Sequence, residues 1–313
     1  MYICLSSNDT QMKKNVLITG GTGFVGSNLT EMLVANGFSV SILSRSKRAN
    51  KKDVSYYIWD VEKQTIDEAA VNNADYIIHL AGENIAGARW TKKRKEAIVD
   101  SRENSIKVIN KVLSKQNHKL HAFISASATG IYGAINGEAI CKETTPPAAD
   151  FLGRTCQIWE AAVDTIGKLG IRTVKVRTGL VLGKGEGLIK KLKPIFKYRL
   201  GAPLGSGKQY MPWIYIDDLC AIYLKAIVDD SLHGPYNAAV EDETNNIAFS
   251  KTFAAVYGYK MWLPHVPAAI IKLGMGQMSK IVLTGRRVSS EKIRKTGFKF
   301  KITDIEEALR KVI

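Results

Sequence analysis

Closely spaced glycines are the residues of this sequence best suited to bind a ligand through the backbone. They lie in Thr19–Gly26 (TGGTGFVG), between an apolar run and a segment with leucine and methionine at helical spacing. Glycine lets the chain turn tightly and approach a bulky ligand with no Cβ in between. The N–H groups that open the following helix suit phosphate oxygens. This strand–turn–helix context with GxGxxG spacing predicts a dinucleotide-binding turn made by Gly20, Gly21, Thr22, Gly23, Phe24, Val25 and Gly26.

The end of the second predicted strand distinguishes between the nicotinamide cofactors. In NAD binders, an Asp or Glu roughly 20 residues after the glycines holds the ribose 2′-hydroxyl. Here the strand Ser39–Leu43 runs into Ser44-Arg45-Ser46-Lys47-Arg48, which contains no acid. Ser44 and Arg45 can instead bind a 2′-phosphate, since arginine offers a planar fork of donors. The sequence therefore predicts NADP(H) rather than NAD as the cofactor.

Further cofactor contacts are expected where later strands end. Asp60 can accept a hydrogen bond from the adenine amino group, or it can cap its own turn. Small residues in Leu80-Ala81-Gly82 let the chain pass the ribose and phosphate of the cofactor. Arg89 and Arg102 are candidate phosphate ligands, although their spacing alone favours an ordinary surface or helix-end charge.

Strands alternate with helices along the first 180 residues, which is typical of a parallel sheet covered on both faces. We expect an α/β fold: a Rossmann-type doubly wound parallel sheet of order 3-2-1-4-5-6, with a seventh strand near 235–239. Residues 13–180 are predicted to form the NADP(H)-binding Rossmann domain. Residues 181–313 are predicted to form a smaller C-terminal substrate lobe, partly interleaved with the sheet and including a small domain at about 260–312. The predicted strands are Lys14–Thr19, Ser39–Leu43, Ser55–Trp59, Asp75–Ala81, His121–Ala126 and Arg172–Arg177, and the main helices are Ser27–Asn36, Lys95–Ser114, Thr155–Leu169 and Thr303–Val312.

The composition narrows the classes of partner. The formal net charge of +16 fits either nucleic acid or an anionic membrane, or a lysine-rich surface that attracts an anionic cofactor. We favour the last, because the lysines are spread along the chain without a nucleic-acid-binding motif. Four scattered cysteines without CxxC spacing predict no metal site and a cytoplasmic protein. No apolar run is long enough for a membrane span, and Met1–Met12 lacks the features of a signal peptide, so we expect no membrane partner.

Several motifs together resemble the NAD-dependent epimerase/dehydratase branch of the short-chain dehydrogenases. They are TGGTGFVG, HLAGENIAGARW at 79–90, DSRENS at 100–105, SASATGIYG at 125–133, VRTGLVLGKG at 176–185 and PWIYIDDL at 212–219. The elements LAGEN, WTKKRK and WEAA resemble an atypical subfamily with a small C-terminal domain of unknown function, often labelled cell-division inhibitor or sugar epimerase. The stretch Arg287–Ala308, with its TGFKF motif, is similar to that domain.

The resemblance implies roles for particular residues. It implies that Ser44 and Arg45 contact the 2′-phosphate. It also implies that the loop Gly201–Trp213 and the C-terminal lobe close over a substrate. Positions near the cofactor are implied for Leu80, Ala81, Arg102, Leu180 and Val181.

One departure from the family pattern concerns proton transfer. Ordinary members use a tyrosine and, four residues later, a lysine. Counted back from Glu160, these positions hold Leu152 and Cys156, and neither can do that chemistry. Cys156 is predicted to be an inert packed thiol.

Three hydroxyl groups nearby are the candidates for orienting a carbonyl or hydroxyl of the substrate: Ser127, Thr129 and Tyr132. For Ser127 and Thr129, the alternative is hydrogen bonding to the loop backbone. His79 is interpreted as a satisfied core histidine.

Two functions follow, with a third alternative. The first is an NADP(H)-dependent oxidoreductase or isomerase acting on a small polar molecule. The second is a non-catalytic NADPH-binding sensor or regulatory protein, which the replacement of the Tyr–Lys pair by Leu152 and Cys156 favours. Ser127, the loop Gly201–Trp213 and the C-terminal lobe favour the enzyme, which is the function we expect. The third is a nucleic-acid binder driven by net charge. We expect a small-molecule substrate and no nucleic acid, and a homodimer stays open.

Overall fold

The computed structural model describes residues 13–115 and 118–313, so the expectation about Met1–Met12 lies outside the described residues. The strands of the described residues are β1 Asn15–Thr19, β2 Ser39–Ser44, β3 Val54–Asp60, β4 Thr65–Ile66, β5 Tyr76–His79, β6 Ala122–Ala128, β7 Gly137–Cys141, β8 Arg172–Thr178, β9 Leu180–Leu182, β10 Trp213–Tyr215, β11 Gly234–Ala238 and β12 Arg286–Val288. The α-helices are α1 Phe24–Ala35, α2 Glu68–Asn72, α3 Lys92–Leu113, α4 Phe151–Gly167, α5 Gly187–Lys197, α6 Ile216–Val228, α7 Asn246–Val256, α8 Ala268–Met275, α9 Lys280–Leu283, α10 Glu291–Lys295 and α11 Ile305–Val312, with short 3-10 turns at Thr129–Tyr132 and Gly276–Ser279.

A large, mostly parallel sheet organises the protein, in the order β11-β8-β6-β5-β1-β2-β3-β4. Numbered as the sequence predicts its strands, this is 3-2-1-4-5-6 with β11 as the seventh, so the predicted Rossmann-type order is confirmed. The short strand β4 pairs antiparallel with β3 at the edge and is absent from the sequence prediction. All other pairs in this sheet are parallel, so the strands place their carboxyl ends along one edge.

Alternating apolar side chains on the central strand build one core on each face of the sheet. Val16 and Ile18 pack in the core with Leu29 of α1 and Ile222 of α6. Leu17 points to the other face, into a core formed with apolar residues of α3 and α4. Within this central strand, β1, residues Val16 to Thr19 are fully buried, and this explains the continuous apolar run.

Three helices, α1, α3 and α4, begin earlier than their hydrophobic patterns suggest. Helix α3 begins at Lys92 rather than Lys95, because the hydroxyl of Thr91 accepts from the N–H of Arg94 and caps the first turn. Helix α1 begins at Phe24, because Gly23 already takes the extended N-cap conformation. Helix α4 begins at Phe151, because the carboxylate of Asp150 accepts from the N–H of Gly153 and caps the first turn. Gly153 is required there, since a Cβ would overlap the backbone of Ala148.

Residues from α5 to the C-terminus contribute most of a separate core. Apolar residues of α5, α7 and α11 pack around Trp213, which is fully buried. The buried carboxylate of Asp218 accepts from the N–H groups of Lys301 and Ile302, at 2.9 and 3.1 Å, and so fixes the last segment against α6. Between residues 13 and 115 and from 118 onward, no helix has both the length and the apolarity to cross a membrane.

Candidate functional site

The glycine turn between β1 and α1 depends on the absence of side chains. Gly20 has a left-handed φ of 71°, and a Cβ there would lie 3.1 Å from the backbone nitrogen of Ala81. A Cβ on Gly26 would overlap the carbonyl oxygen of Gly20 and lie 2.6 Å from the Cα of Gly21. The turn therefore lets α1 pack directly on the strand end, as the sequence predicts.

The N-terminus of α1 fits a phosphate group. Gly23 provides no side-chain cap, and the first turn contains no acid. The N–H groups of Phe24, Val25 and Gly26 have no acceptor within the helix, because helical bonds run from residue i to i−4. Free N–H groups and the positive end of the helix dipole favour a pyrophosphate here.

The end of β2 places Ser44 and Arg45 differently. Ser44 is buried, and its hydroxyl donates to the carbonyl oxygen of Ser46 at 2.8 Å, which orders the start of the loop. Arg45 is exposed, and in the part of the chain that the structure describes it forms no salt bridge. An exposed guanidinium with no carboxylate beside it is available to a phosphate.

Asp60 caps its own turn. Its Oδ1 accepts from the N–H groups of Glu62 and Lys63, both at 3.0 Å. The hydrogen bond from the backbone of Lys63 lowers the pKa of Asp60 below its ordinary value. This is the turn-capping alternative of the sequence analysis, and the adenine contact stays a prediction.

The end of β5 is anchored by a residue that sequence reasoning missed. The N–H groups of Leu80 and Ala81 both donate to the hydroxyl of Thr19, at 3.1 and 3.0 Å. A Cβ on Gly82 would lie 3.3 Å from the Cζ of Arg102, so glycine lets the guanidinium lie against the chain.

Arg102 lies beside this strand end, and its described hydrogen bonds run to backbone carbonyl oxygens. Its Nη1 donates to the carbonyl oxygen of Ile98 at 2.7 Å and its Nη2 to that of Glu83 at 3.2 Å. The guanidinium carbon lies 4.8 Å from the ring centre of Trp159. Burial lowers the pKa of Arg102, yet it stays far above neutrality for a guanidinium.

Arg89 and the residues of β9 have structural partners. Arg89 donates to the carbonyl oxygens of Leu273 and Gly274 at the end of α8, both at 2.8 Å, and so ties the C-terminal lobe to the Rossmann part. The N–H of Leu180 donates to the carbonyl oxygen of Pro212 at 2.7 Å. Leu180 and Val181 are half-buried in a strand parallel to β10. Their predicted proximity to the cofactor stays a prediction.

Two of the three candidate catalytic hydroxyls belong to a buried polar network. The hydroxyl of Ser127 donates to Oε1 of Glu160 at 2.7 Å. The hydroxyl of Tyr132 donates to Oδ1 of Asn237 at 2.6 Å and accepts from Nη1 of Arg177 at 3.1 Å. Burial raises the pKa of Tyr132 to about 12, so it stays protonated at neutral pH.

The centre of this network is an ion pair between Arg177 and Glu160. Nε and Nη2 of Arg177 donate to the two carboxylate oxygens, both at 2.9 Å, and Nη1 also donates to the carbonyl oxygen of Glu143. The side chains are 6% and 10% exposed. We call Ser127, Tyr132, Glu160, Arg177 and Asn237 the buried polar network.

Thr129 is the least engaged of the three hydroxyls. It is half-buried at the start of the turn after β6, and its Oγ1 reaches the carbonyl oxygen of Thr178 only at 3.4 Å. A bond of this length is weak, so the hydroxyl can exchange it for a ligand.

Leu152 and Cys156, at the positions of the family's tyrosine and lysine, lie beside the turn Thr129–Tyr132. A Cβ on Gly130 would lie 3.7 Å from the Cβ of Leu152 and 3.8 Å from the Sγ of Cys156. Burial raises the pKa of Cys156 to about 12, so its thiol is neutral. Neither position supplies the acid or the cation that a Tyr–Lys pair supplies.

His79 is a core residue, as predicted. It is fully buried, with Nε2 at 2.8 Å from the hydroxyl of Ser105 and Nδ1 at 3.3 Å from that of Ser125. Burial, and to a smaller extent the charge of Arg102, lowers its pKa to about 3. The imidazole is therefore neutral and hydrogen-bonded.

Comparison with known proteins decides the family. The profile of the NAD dependent epimerase/dehydratase family matches residues 16–239, and that of a domain of unknown function (DUF1731) matches residues 266–312. The chain belongs to the NAD dependent epimerase/dehydratase family. The predicted resemblance, including the C-terminal domain of unknown function, is confirmed, and with it a fold that binds nicotinamide dinucleotides.

Relatives within this epimerase family match over nearly their whole length. The chain is 34% identical to epimerase family protein YfhF of Bacillus subtilis over 300 residues, which cover 96% of this chain and 98% of that protein. It is 30% identical to a chloroplastic SDR39U1 homologue of Arabidopsis thaliana, covering 100% of this chain and 90% of that one. The crystal structure of human epimerase family protein SDR39U1 (isoform 2) with NADPH superposes with a TM-score of 0.84 at 29% identity, over 95% of this chain and 98% of that one.

Proposed function

We propose that this protein binds NADP(H), with the pyrophosphate at the N-terminus of α1 and the adenosine 2′-phosphate at Ser44 and Arg45. The observation that carries the proposal is the end of β2, which offers an exposed guanidinium and no carboxylate. The uncapped helix end and the glycine turn supply the complementary anion site. NADPH in the crystal structure of the human relative supports the same choice.

Replacement of Arg45 by alanine tests this cofactor preference. Hydrogen bonds to a charged group are worth about 1.5–3 kcal/mol, so Arg45→Ala is expected to weaken NADPH binding about 10- to 100-fold. NADH has no 2′-phosphate, and its affinity is expected to stay within about two-fold of the wild-type value. Titration calorimetry with both dinucleotides measures the two affinities. Arg48→Ala, at another exposed arginine of the same loop, is the matched control.

Equal losses for NADPH and NADH would contradict the role given to Arg45. An Arg48→Ala variant with the larger selective loss would move the phosphate site to that residue.

The proposed activity is oxidoreduction or isomerisation of a small polar molecule. NADPH, when bound, would supply the hydride for such a reduction. Leu152 and Cys156 offer no acid or base, and the hydroxyl of Ser127 already donates to Glu160. Thr129 is therefore the hydroxyl best placed to donate to a substrate carbonyl, and solvent water would supply the proton that the resulting alkoxide needs. Residues 13–180 would hold the cofactor and residues 181–313 the substrate.

Thr129→Val tests the activity without changing the shape of the side chain. The wild-type protein is incubated with NADPH and a panel of carbonyl compounds and nucleotide sugars, and oxidation of the cofactor is followed by absorbance. On a substrate that turns over, Thr129→Val is expected to lower kcat about 10- to 100-fold, because one hydroxyl donor to a developing oxyanion is lost. NADPH affinity is expected to be unchanged. A variant with wild-type turnover would exclude Thr129 from the reaction.

A second function, non-catalytic sensing of NADPH, is favoured by one specific observation. The hydroxyls of Ser127 and Tyr132 both donate to partners inside the protein, at 2.7 and 2.6 Å, and so leave the substrate side with few donors. Tight NADPH binding with no turnover over the whole panel would support this function and count against the enzyme.

A further inference from the structure

Apolar side chains are unusually exposed where α5 ends. Ile195, Tyr198 and Leu200 are 43%, 72% and 57% exposed. Trp262, from a distant part of the chain, lies against the same turn and is 67% exposed, and its indole N–H donates to the carbonyl oxygen of Arg199 at 3.0 Å. Large apolar side chains clustered in water are typical of an interaction surface.

This turn has a fixed conformation. Arg199 has a left-handed φ of 59°, and the N–H of Leu200 donates back to the carbonyl oxygen of Ile195 at 2.9 Å. The opposite face of α5 is anchored in the C-terminal core through Ile189 and Phe196. The exposed apolar residues are therefore presented by a hydrogen-bonded turn on a packed helix.

The same two segments are strongly basic. From Gly187 to Ile216 the sequence contains six lysines and arginines and no aspartate or glutamate, and 257–264 adds Lys260 without an acid. Lys197, Arg199 and Lys260 are all exposed. We call Ile195, Tyr198, Leu200 and Trp262, with these three cations, the basic aromatic patch.

We propose that the basic aromatic patch docks the protein on the surface of an anionic phospholipid bilayer. Tryptophan and tyrosine favour the boundary between headgroups and acyl chains, and leucine and isoleucine can enter the acyl region. Lysine and arginine beside them are attracted by the negative headgroups. The sequence alone predicts no membrane partner, both because it contains no membrane-spanning run and because its net charge was interpreted as a lysine-rich surface. The proposal departs from that prediction for a peripheral contact only.

A lipid surface fits this composition better than the other anionic surfaces. Single-stranded nucleic acid binds through aromatic rings on which bases stack. Ile195 and Leu200 have no such face, yet they are exposed beside the rings. A bilayer accommodates both aliphatic and aromatic side chains. The proposal is independent of the cofactor and of any activity at the carboxyl ends of the sheet.

Tryptophan fluorescence can report directly on the patch. Of the five tryptophans, all within the described residues, Trp59, Trp90, Trp159 and Trp213 are at most 7% exposed and Trp262 is 67% exposed. Insertion of Trp262 into a bilayer is expected to shift the emission to shorter wavelength. The full-length protein is mixed with vesicles of phosphatidylcholine alone or of equimolar phosphatidylcholine and phosphatidylglycerol, and bound protein is also quantified by sedimentation.

Two pairs of variants separate docking on the patch from the effect of net charge. Lys197→Glu with Lys260→Glu changes the net charge as much as the control Lys111→Glu with Lys168→Glu, whose exposed lysines lie on α3 and at the C-cap of α4. The first is expected to weaken binding to the anionic vesicles by about ten-fold or more, and the control by much less. Trp262→Ser is likewise compared with Val228→Ser, an apolar residue of similar exposure outside the patch.

Binding to the anionic vesicles only, with an emission shift and selective loss in the two patch variants, supports the proposal. No binding to either vesicle overturns it. Equal losses in the two charge variants also overturn it, since net charge alone would then explain binding. Self-association or RNA binding through the patch, without binding to vesicles, would also overturn the proposal.

Discussion

Replacement of Arg177 by methionine removes the cation at the centre of the buried polar network. The guanidinium makes five described interactions: two with Glu160, one each with Tyr132 and the carbonyl oxygen of Glu143, and a contact of its charge with the Tyr132 ring at 5.5 Å. Methionine fills part of the volume but donates no hydrogen bond. The carboxylate of Glu160 is then left with Ser127 as its described donor.

The expected cost follows from this burial. Both side chains are at most 10% exposed, so solvent does not replace the lost partner. Removal of one member of a buried ion pair costs about 3–5 kcal/mol, and we expect Arg177→Met to lower the free energy of unfolding by that amount. Adding Glu160→Gln removes the stranded charge, so the double variant is expected to be more stable than the sum of the single effects predicts.

Urea unfolding of the cofactor-free protein, followed by circular dichroism, measures these free energies. The matched control is Arg172→Met in the same strand, because the carboxylate partner of Arg172, Asp230, is 85% exposed and stays hydrated when the arginine is lost. We expect the control to cost less than half as much as Arg177→Met. A loss below about 1 kcal/mol for Arg177→Met, or strictly additive single effects, would refute this reasoning.

Three further predictions concern the turn, the thiols and the buried imidazole. Gly26→Ala is expected to reduce NADPH binding by about 100-fold or more in titration calorimetry, because its Cβ would overlap the turn that should hold the pyrophosphate. The control is Gly274→Ala, whose added Cβ would meet no atom within 4 Å. Equal NADPH affinities of the two variants would contradict the prediction. Cys156 is expected to react with iodoacetamide at neutral pH only after unfolding, since burial raises its pKa to about 12; mass spectrometry of the labelled peptides would reveal native labelling if this is wrong. Burial lowers the pKa of His79 from 6.5 to about 3, so the unfolded chain takes up a proton first as the pH falls. The contribution of neutral His79 to the free energy of unfolding is therefore complete above pH 6.5. As the pH falls from 6.5 to 3, this contribution decreases by up to about 1.4 kcal/mol per pH unit. Replacement by glutamine, His79→Gln, should flatten that part of the curve of stability against pH.

The basic aromatic patch could be predicted only in part from the sequence. Part of the patch can be seen in the sequence as the acid-free stretch Gly187–Ile216. Its tryptophan, Trp262, comes from the segment after α7, 63 residues beyond Arg199. Because lysines are spread along the whole chain, the local excess of basic residues in this stretch does not stand out in the sequence. Only the folded protein brings Trp262 to the carbonyl oxygen of Arg199.

The sequence by itself determined the sheet and the glycine turn. These features are local: a buried strand shows as a short apolar run, and a turn against a helix shows as glycines at fixed spacing. The right-handed connection between parallel strands then restricts the strand order, which the structure confirms from β3 through β8. Thr19 belongs to that local pattern. Its hydrogen bonds to the end of β5 could not be predicted from the pattern, because they join residues about sixty positions apart.

What the tertiary structure decided is which polar groups have partners and which face solvent. Ser127 and Tyr132 could be recognised by motif, but Glu160 and Asn237 satisfy them from elements 33 and 105 residues away. For Arg89 the sequence favours an ordinary charge over a phosphate contact but gives no partner, and the structure supplies the carbonyl oxygens of Leu273 and Gly274, 184 and 185 residues along the chain. Hydrogen bonding and burial depend on positions in space, and at such separations sequence spacing carries no information about distance. For that reason the composition of the candidate site was predictable, while the protonation and availability of its hydroxyls were not.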